Sequence, residues 1–413
     1  MRVATSVFRK VLGVRNLVVE GLEFVGEDLF LDVRPLHRRK TRCAKCGQVG
    51  PRYDRQPSRC WRSLGLGRTK IFLRYAPWRV DCRKCDGVVV QEVPWAAGKS
   101  RFTREFEEYV AYLAQVSTKT HTQKMAGIAW TSVENIIRRV LARTLDGKRF
   151  EGLRNIGVDE FSYRKRHRYL TVVVDHARRR VIWVRKGKTT ETLKAFFAEL
   201  TEEQRASIEC VTMDMAQSYQ KAVREALPEA RIVFDRFHVQ ALVSKALDTV
   251  RREQLRDVRG TPEGKELFGS RFAVLKSPWN LTRKEEEKLA HIQKNNASLY
   301  RAYLLKETLA KALDYKQPAR GVKALKEWLA WASRSRLKPF VKVARTIRQH
   351  FDGIVEYLRT RLSNGFTEGT NNVIRMIARR AFGFHSADAL SSMIFLRCGG
   401  VELDPPLPGT HRK

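Results

Sequence analysis

At 413 residues, 43% apolar and 30% charged, the chain has the make-up of a globular protein with room for two to four domains, which excludes low-complexity and fibrous classes. Its formal net charge of +36, from 80 Lys+Arg against 44 Asp+Glu, repels itself unless a polyanion offsets it, so nucleic acid is the expected partner. There is no run of 18 apolar residues, no dominant basic amphipathic helix and no signal-peptide stretch, and four of the seven cysteines fall in two CxxC pairs, so a membrane is not expected and a reducing cytoplasm is.

Residues 1–36 are read as an N-terminal hairpin segment, with Leu22-Glu23-Phe24-Val25 and Leu29-Phe30-Leu31-Asp32-Val33 flanking the turn-forming Gly26-Glu27-Asp28. Residues 37–98 follow as a zinc ribbon. Cys43 and Cys46 form one CxxC knuckle and, after 35 intervening residues, Cys82 and Cys85 form another. Two thiolates from each tight turn supply the four ligands of a structural Zn2+. Ile71-Phe72-Leu73-Arg74-Tyr75 and Val88-Val89-Val90 read as strands, and Cys60, beside Trp61, reads as packing.

Over 99–148 the spacing turns helical and predicts a helix-turn-helix. Phe106, Val110, Leu113 and Val116 form one apolar stripe. Thr131 and Glu134 fit a capping box that opens a second helix, whose Val133, Ile136, Ile137 and Val140 face inward. Ser132, Asn135, Arg138 and Arg139 are then left outward, as major-groove reading requires, although any small helical bundle shows the same pattern.

Residues 149–240 read as the first part of a catalytic core. The strand Asn155-Ile156-Gly157-Val158-Asp159-Glu160 precedes a β-hairpin, a helix from Thr189 to Leu200, a strand ending at Asp214, a helix over 216–226 and a strand ending at Asp235. Gly157 leaves room for a close approach. Each acid alone is more often a turn or cap residue, yet three fall where strands one, four and five are expected to stop, and ligands collect beyond the carboxyl ends of parallel strands. Acids gathered there repel unless divalent cations neutralise them, and Mg2+ suits an all-oxygen site. Residues 241–362 read as a helical insertion, with a capping box from Thr282 to Glu285 and an apolar face of Leu325, Trp328, Leu329 and Ala332. Residues 363–400 return to the core: Asn364-Gly365 breaks the preceding helix, Glu368 opens the next, and Asn372, Arg375, Arg379 and Arg380 follow within two turns as phosphate contacts. Residues 401–413 read as a short Pro-rich tail.

The Gly157-Val158-Asp159-Glu160 strand, Asp214, Asp235-Arg236-Phe237-His238, and the block from Asn364-Gly365 through Glu368-Gly369 and Asn371-Asn372 to Arg379-Arg380-Ala381-Phe382-Gly383-Phe384 together resemble the bacterial insertion-sequence transposases of the ISL-three family. The resemblance covers the chain from about Leu36 to Arg397. It implies a multidomain α+β protein: zinc ribbon, helix-turn-helix, and an RNase H-like α/β core with a large α-helical insertion. It also implies Asp159, Asp214 and Glu368 as the catalytic acids, holding two Mg2+ or Mn2+ ions, with Asp235 the rival for the second. Asp235 and His238 match a D-x-x-H signature and are expected behind the metal ligands or against DNA. The implied partners are double-stranded DNA, as terminal inverted repeats and as target, and a second copy of the chain, since two ends must be brought together. A regulator that binds DNA without cutting it, and an RNase H-fold nuclease that cuts without joining, are the competing readings.

Overall fold

The structure, a computed structural model, describes residues 2–36, 41–145, 147–164 and 168–405. The expected boundary at 36/37 and the tail beyond Pro405 touch residues outside that set. The chain divides into two compact units, Met1–Asp146 with Arg379–Lys413, and Gly147–Ala378. The segment expected as one piece over 363–400 is therefore shared between them.

In the first unit an unexpected helix, α1 (Arg2–Leu12), precedes the hairpin of β1 (Leu17–Val25) and β2 (Asp28–Pro35). The hairpin does not stand apart from the cysteine region. β2 pairs in parallel with β5 (Ile71–Tyr75), which pairs with β4 (Arg59–Arg62), giving one sheet of order β1-β2-β5-β4. A second sheet joins β3 (Arg52–Arg55), β6 (Trp78–Cys82) and β7 (Gly87–Val90). Alternation on β2 and β5 buries Leu29, Leu31, Val33, Ile71 and Leu73, and Trp95 closes this core edge-on against Trp61 at 5.8 Å and Tyr75 at 5.6 Å. Cys60 is exposed, not packed.

Helices α2 (Arg104–Val116), α3 (Lys119–Ala126) and α4 (Trp130–Thr144) complete this part of the unit. Phe106, Val110 and Leu113 are buried as their spacing implies, whereas Val116, at the open end of α2, is exposed. Gly127 ends α3 in the left-handed conformation, which glycine adopts without a Cβ penalty. The expected capping box is absent: α4 begins at Trp130, so Thr131 lies inside it, and Glu134 instead pairs with buried Lys119.

The second unit is built on a five-stranded sheet of order β10-β9-β8-β11-β12. β8 (Asn155–Arg164), β9 (Arg168–Asp175) and β10 (Arg180–Lys186) form an antiparallel meander. β11 (Cys210–Met213) and β12 (Arg231–Phe234) extend it in parallel. The β-branched runs in β8–β12 are buried, as strands covered by helices require. α5 (Thr190–Ala198) and α7 (Gln217–Ala226) cover the sheet with buried Phe196, Phe197, Tyr219 and Val223, and the short α6 (Glu202–Ala206) between them buries no residue. α8 (Arg236–Asp257) then leads into α9 (Pro262–Leu267), α10 (Arg271–Leu275), α11 (Arg283–Asn295), α12 (Ala297–Asp314), α13 (Pro318–Ser333), α14 (Lys338–Gln349) and α15 (Phe351–Thr360). No strand interrupts this helical stretch among the described residues. The Thr282–Glu285 capping box forms, and Leu325, Trp328, Leu329 and Ala332 are buried. Helix α16 (Gly365–Arg380) brings the chain back to the sheet, and α17 (Ala387–Cys398) belongs to the first unit.

Candidate active site

The site forms where β8 and β11 part. Their parallel pairing covers only Asn155–Gly157 on β8, while β8 remains paired to β9 up to Arg164. β8 therefore does not stop at Asp159, as the sequence suggested. Asp159 sits in the middle of a strand, just past the point where its neighbour on one side ends. That gap, at the carboxyl ends of parallel strands, is where a crevice opens in such sheets.

Helix α16 is held over the gap by a buried polar network. Thr212 Oγ1 and Thr367 Oγ1 donate to Asn364 Oδ1 at 2.7 and 2.8 Å, and His176 Nε2 lies 2.7 Å from Thr212 Oγ1. Gly157 makes this seating possible. A Cβ there would stand 2.6 Å from Thr367 Oγ1 and 2.9 Å from His176 Nε2, closer than real Cβ contacts allow. The network places Glu368 one residue beyond Thr367, facing the crevice. Sequence reasoning expected Asn364 only as a helix breaker, and it missed His176, Thr212 and Thr367.

The resulting cleft, about 480 Å³, is lined by Asp159, Glu160, Asp214, Phe237, His238, Glu368, Asn371, Asn372 and Arg375. Asp159 Oδ2 accepts from Asn371 Nδ2 at 2.7 Å, and its Oδ1 accepts from the Glu160 amide at 2.8 Å. Asn371 is a partner that sequence reasoning also missed, because it lies 212 residues away. Burial, reinforced by the Asp214 and Glu160 carboxylates, pushes the Asp159 carboxyl up to about 6. Burial and nearby Asp235 likewise raise Glu368. Asp214 Oδ1 accepts from the Ala216 amide at 2.9 Å, which fixes it at the start of the loop into α7.

Asp235 follows β12 as Asp214 follows β11, and its amide donates to Met213 O. The expected trio is not the tightest group. The ligand atoms of Asp235, His238 and Glu368 all lie within 4.8 Å of one another, whereas Asp159 and Asp214 line the same cleft as His238 and Glu368. Raised carboxyls, an unpartnered Asp235 oxygen and an oxygen-rich lining together fit divalent cations. Asn372 accepts from Arg375 at 2.7 Å on the rim of this cleft, and Arg379 and Arg380 follow in the last turn of the same helix.

The four cysteines of the two CxxC pairs converge as expected, with sulfur atoms within 4.8 Å of one another. Cys43 and Cys85 are 3.8 Å apart, Cys46 and Cys82 3.4 Å. Ligands about 2.3 Å from a tetrahedral Zn2+ stand roughly 3.8 Å apart, so the residues fit that ion. Burial would raise the Cys43 thiol, but the Cys46 and Lys45 amides outweigh it and lower the group to about 7, whereas the Cys82 and Cys85 thiols are raised.

On α4, Asn135 and Arg138 are exposed and Ser132 is half-buried. Arg139 corrects the expectation of an outward face. It and Arg143 each reach the fully buried carboxylate of Glu107 on α2 at 2.6 Å, so their charge is spent holding α2 to α4. Arg138 is also partly engaged, at 3.2 Å from Glu134.

Among the described residues no helix is long and apolar enough to cross a membrane. Residues 156–394 match a family model described as "Transposase", and residues 91–141 match one described as "Helix-turn-helix domain of transposase family ISL3". The chain is 38% identical to the transposase for insertion sequence element IS1557 of Mycobacterium tuberculosis, over 98% of this chain and 97% of that protein. It is 27% identical to the transposase for insertion sequence element IS1001 of Bordetella parapertussis, over 90% of this chain and 91% of that protein.

Proposed function

The chain belongs to the ISL3 transposase family and is a DNA transposase of the DDE type, and we propose that it binds the terminal inverted repeats of its own insertion sequence, then cuts and joins DNA strands there by metal-dependent phosphoryl transfer. The carrying observation is that Asp159, Asp214 and Glu368, from three distant segments, line one cleft at the parted ends of β8 and β11. On this reading the second unit is an RNase H-like core whose helical insertion, 241–362, separates the second acid from the third, and 37–98 contains a zinc ribbon.

Asp159, Asp214 and Glu368 would hold Mg2+ or Mn2+, which neutralises their repulsion and stabilises the attacking and leaving oxygens of a phosphodiester. Asn371 fixes the Asp159 carboxylate so that its oxygens face the cleft. Arg375 on the rim takes a strand phosphate. We take Asp214 as the second acid because it lines the cleft beside Asp159. Asn135 and Arg138, with Ser132, supply groove contacts from α4, and Cys43, Cys46, Cys82 and Cys85 hold the Zn2+ that shapes the ribbon. Bringing two element ends together calls for at least a homodimer, and the DNA substrate places the work in the cytoplasm.

The test is a cleavage and strand-transfer assay on labelled element ends with Mg2+, Mn2+ or EDTA. Metal-dependent cutting followed by joining, lost in Asp159→Ala, Asp214→Ala and Glu368→Ala while end binding persists, is the expected result. Strand transfer retained in any of these variants refutes that residue's role, and cutting without joining refutes transposition in favour of a nuclease.

A further inference from the structure

Asp235 is the N-cap of α8, and its backbone has the extended conformation typical of a cap. An Asp there normally accepts a hydrogen bond from an amide in the first turn. This one makes no such bond. The residue is 3% exposed, and its Oδ2 has no hydrogen-bond partner among the described residues. One turn on, His238 Nε2 is also buried with no partner among the described residues. Native proteins rarely leave buried polar atoms orphaned, and two of them one helical turn apart need a common explanation. They also face a third group: the ligand atoms of Asp235, His238 and Glu368 fall within 4.8 Å of one another. The scaffold holds them firmly. The Asp235 amide bonds back to β11 through Met213 O, Arg236 pairs with Asp314 across the first turn of α8, and the His238 ring packs edge-on against Phe237.

We propose that Asp235 and His238 are themselves metal ligands and that, with Glu368, they form a mixed nitrogen and oxygen site for one of the two divalent ions. Asp159 and Asp214 then hold the other ion across the cleft. An imidazole nitrogen suits Mn2+ and later transition metals better than it suits Mg2+, which strongly prefers oxygen. This site is therefore the manganese-preferring one of the pair. The inference rests on the transposase reading for the use made of the ion, but its test does not depend on that use.

The experiment is a Mn2+ titration of the full-length, magnesium-free protein with its zinc retained, followed by electron paramagnetic resonance of free Mn2+. In parallel, Fe2+ with ascorbate and peroxide is used to cut the polypeptide beside the bound ion, and the cuts are mapped by mass spectrometry. Wild type is expected to bind two Mn2+, with oxidative cuts near residues 235–238 and 368. Asp235→Asn and His238→Gln, both close in shape to the native side chains, should each weaken one of the two by at least tenfold and abolish those cuts. Asp214→Asn should leave the cuts in place and weaken the other ion. Unchanged stoichiometry and affinity in both Asp235→Asn and His238→Gln overturns the site. Loss of one ion in these variants, from a wild-type protein that neither cuts nor joins DNA, upholds the site and refutes the transposase reading. DNA cutting with unchanged metal binding in the variants does the reverse.

Discussion

Asp159→Asn should make the metal-free protein more stable, although it removes a proposed catalytic group. Burial and the neighbouring carboxylates raise Asp159 from 3.8 to about 6. The folded state therefore holds this proton more tightly than the unfolded one, and ionising it costs roughly 2 units at 1.36 kcal/mol each, about 3 kcal/mol. The cost is absent below pH 3.8, grows as pH rises to about 6 and is constant above that. The amide introduced by the substitution still accepts from the Glu160 amide, and its NH2 can meet Asn371 Oδ1, which has no partner among the described residues, once that side-chain amide turns over. In EDTA at pH 7.5, native-state hydrogen exchange on peptides from β8 and β9 should show openings that expose residue 159 costing about 2–3 kcal/mol more in Asp159→Asn than in wild type. The difference should vanish near pH 4. Saturating Mn2+ should reverse the order, since only wild type gains the full binding energy. A variant that is no more stable at pH 7.5, or a difference that ignores pH, would refute the electrostatic account of this cleft.

Gly157→Ala should push α16 off the sheet, because the added methyl meets Thr367 and His176; DNA cutting should fall steeply while end binding, measured by mobility shift, stays within twofold. Glu107→Gln strands Arg139 and Arg143 against a buried neutral group, and thermal unfolding of the first unit should show a loss of about 3 kcal/mol, the lower end for a broken buried pair because both arginines are partly solvated. Cys46→Ser should release zinc to a chromophoric chelator at micromolar concentration and lose specific end binding, with metal binding at the acidic cleft unaffected.

The second unit was largely legible in the sequence because its signals are strong and local. The β-branched runs of β8 to β12 are buried, and β9, β11 and β12 stop at or just before an acid, although β8 runs on past Asp159. The two CxxC pairs were legible for the same reason. What escaped is held by partners remote in sequence. The strands Arg52–Arg55, Arg59–Arg62 and Trp78–Cys82 are short and arginine-rich, with little alternation to read. Arg52 and Arg55 stack on Trp78 and Arg59 on Trp61, which compensates for the weak pattern. The misread start of α4 has a similar cause. Glu134 has the spacing of a capping residue, but Lys119, 15 residues earlier, claims it. Arg139 looks outward by helical period until Glu107 on another helix turns it in. In the cleft, the acids carried a signal, whereas His176, Thr212 and Asn371 serve through contacts that no local pattern encodes.

The network that seats α16 joins Thr212 to Asn364 across 152 residues, and Asn371 reaches Asp159 across 212. Contacts of such separation form late, since the closure of a long loop must precede any gain from it. During synthesis the sheet strands that carry Asp159 and Asp214 emerge well before the helix that carries Glu368. Until that helix docks, the gap between β8 and β11 lacks both the third carboxylate and the amide that orients the first. On the proposed roles, an unfinished chain, or one stalled before α16 has folded, therefore carries no assembled cutting site. With those roles, the length of the helical insertion makes completion of the fold a condition for cutting DNA.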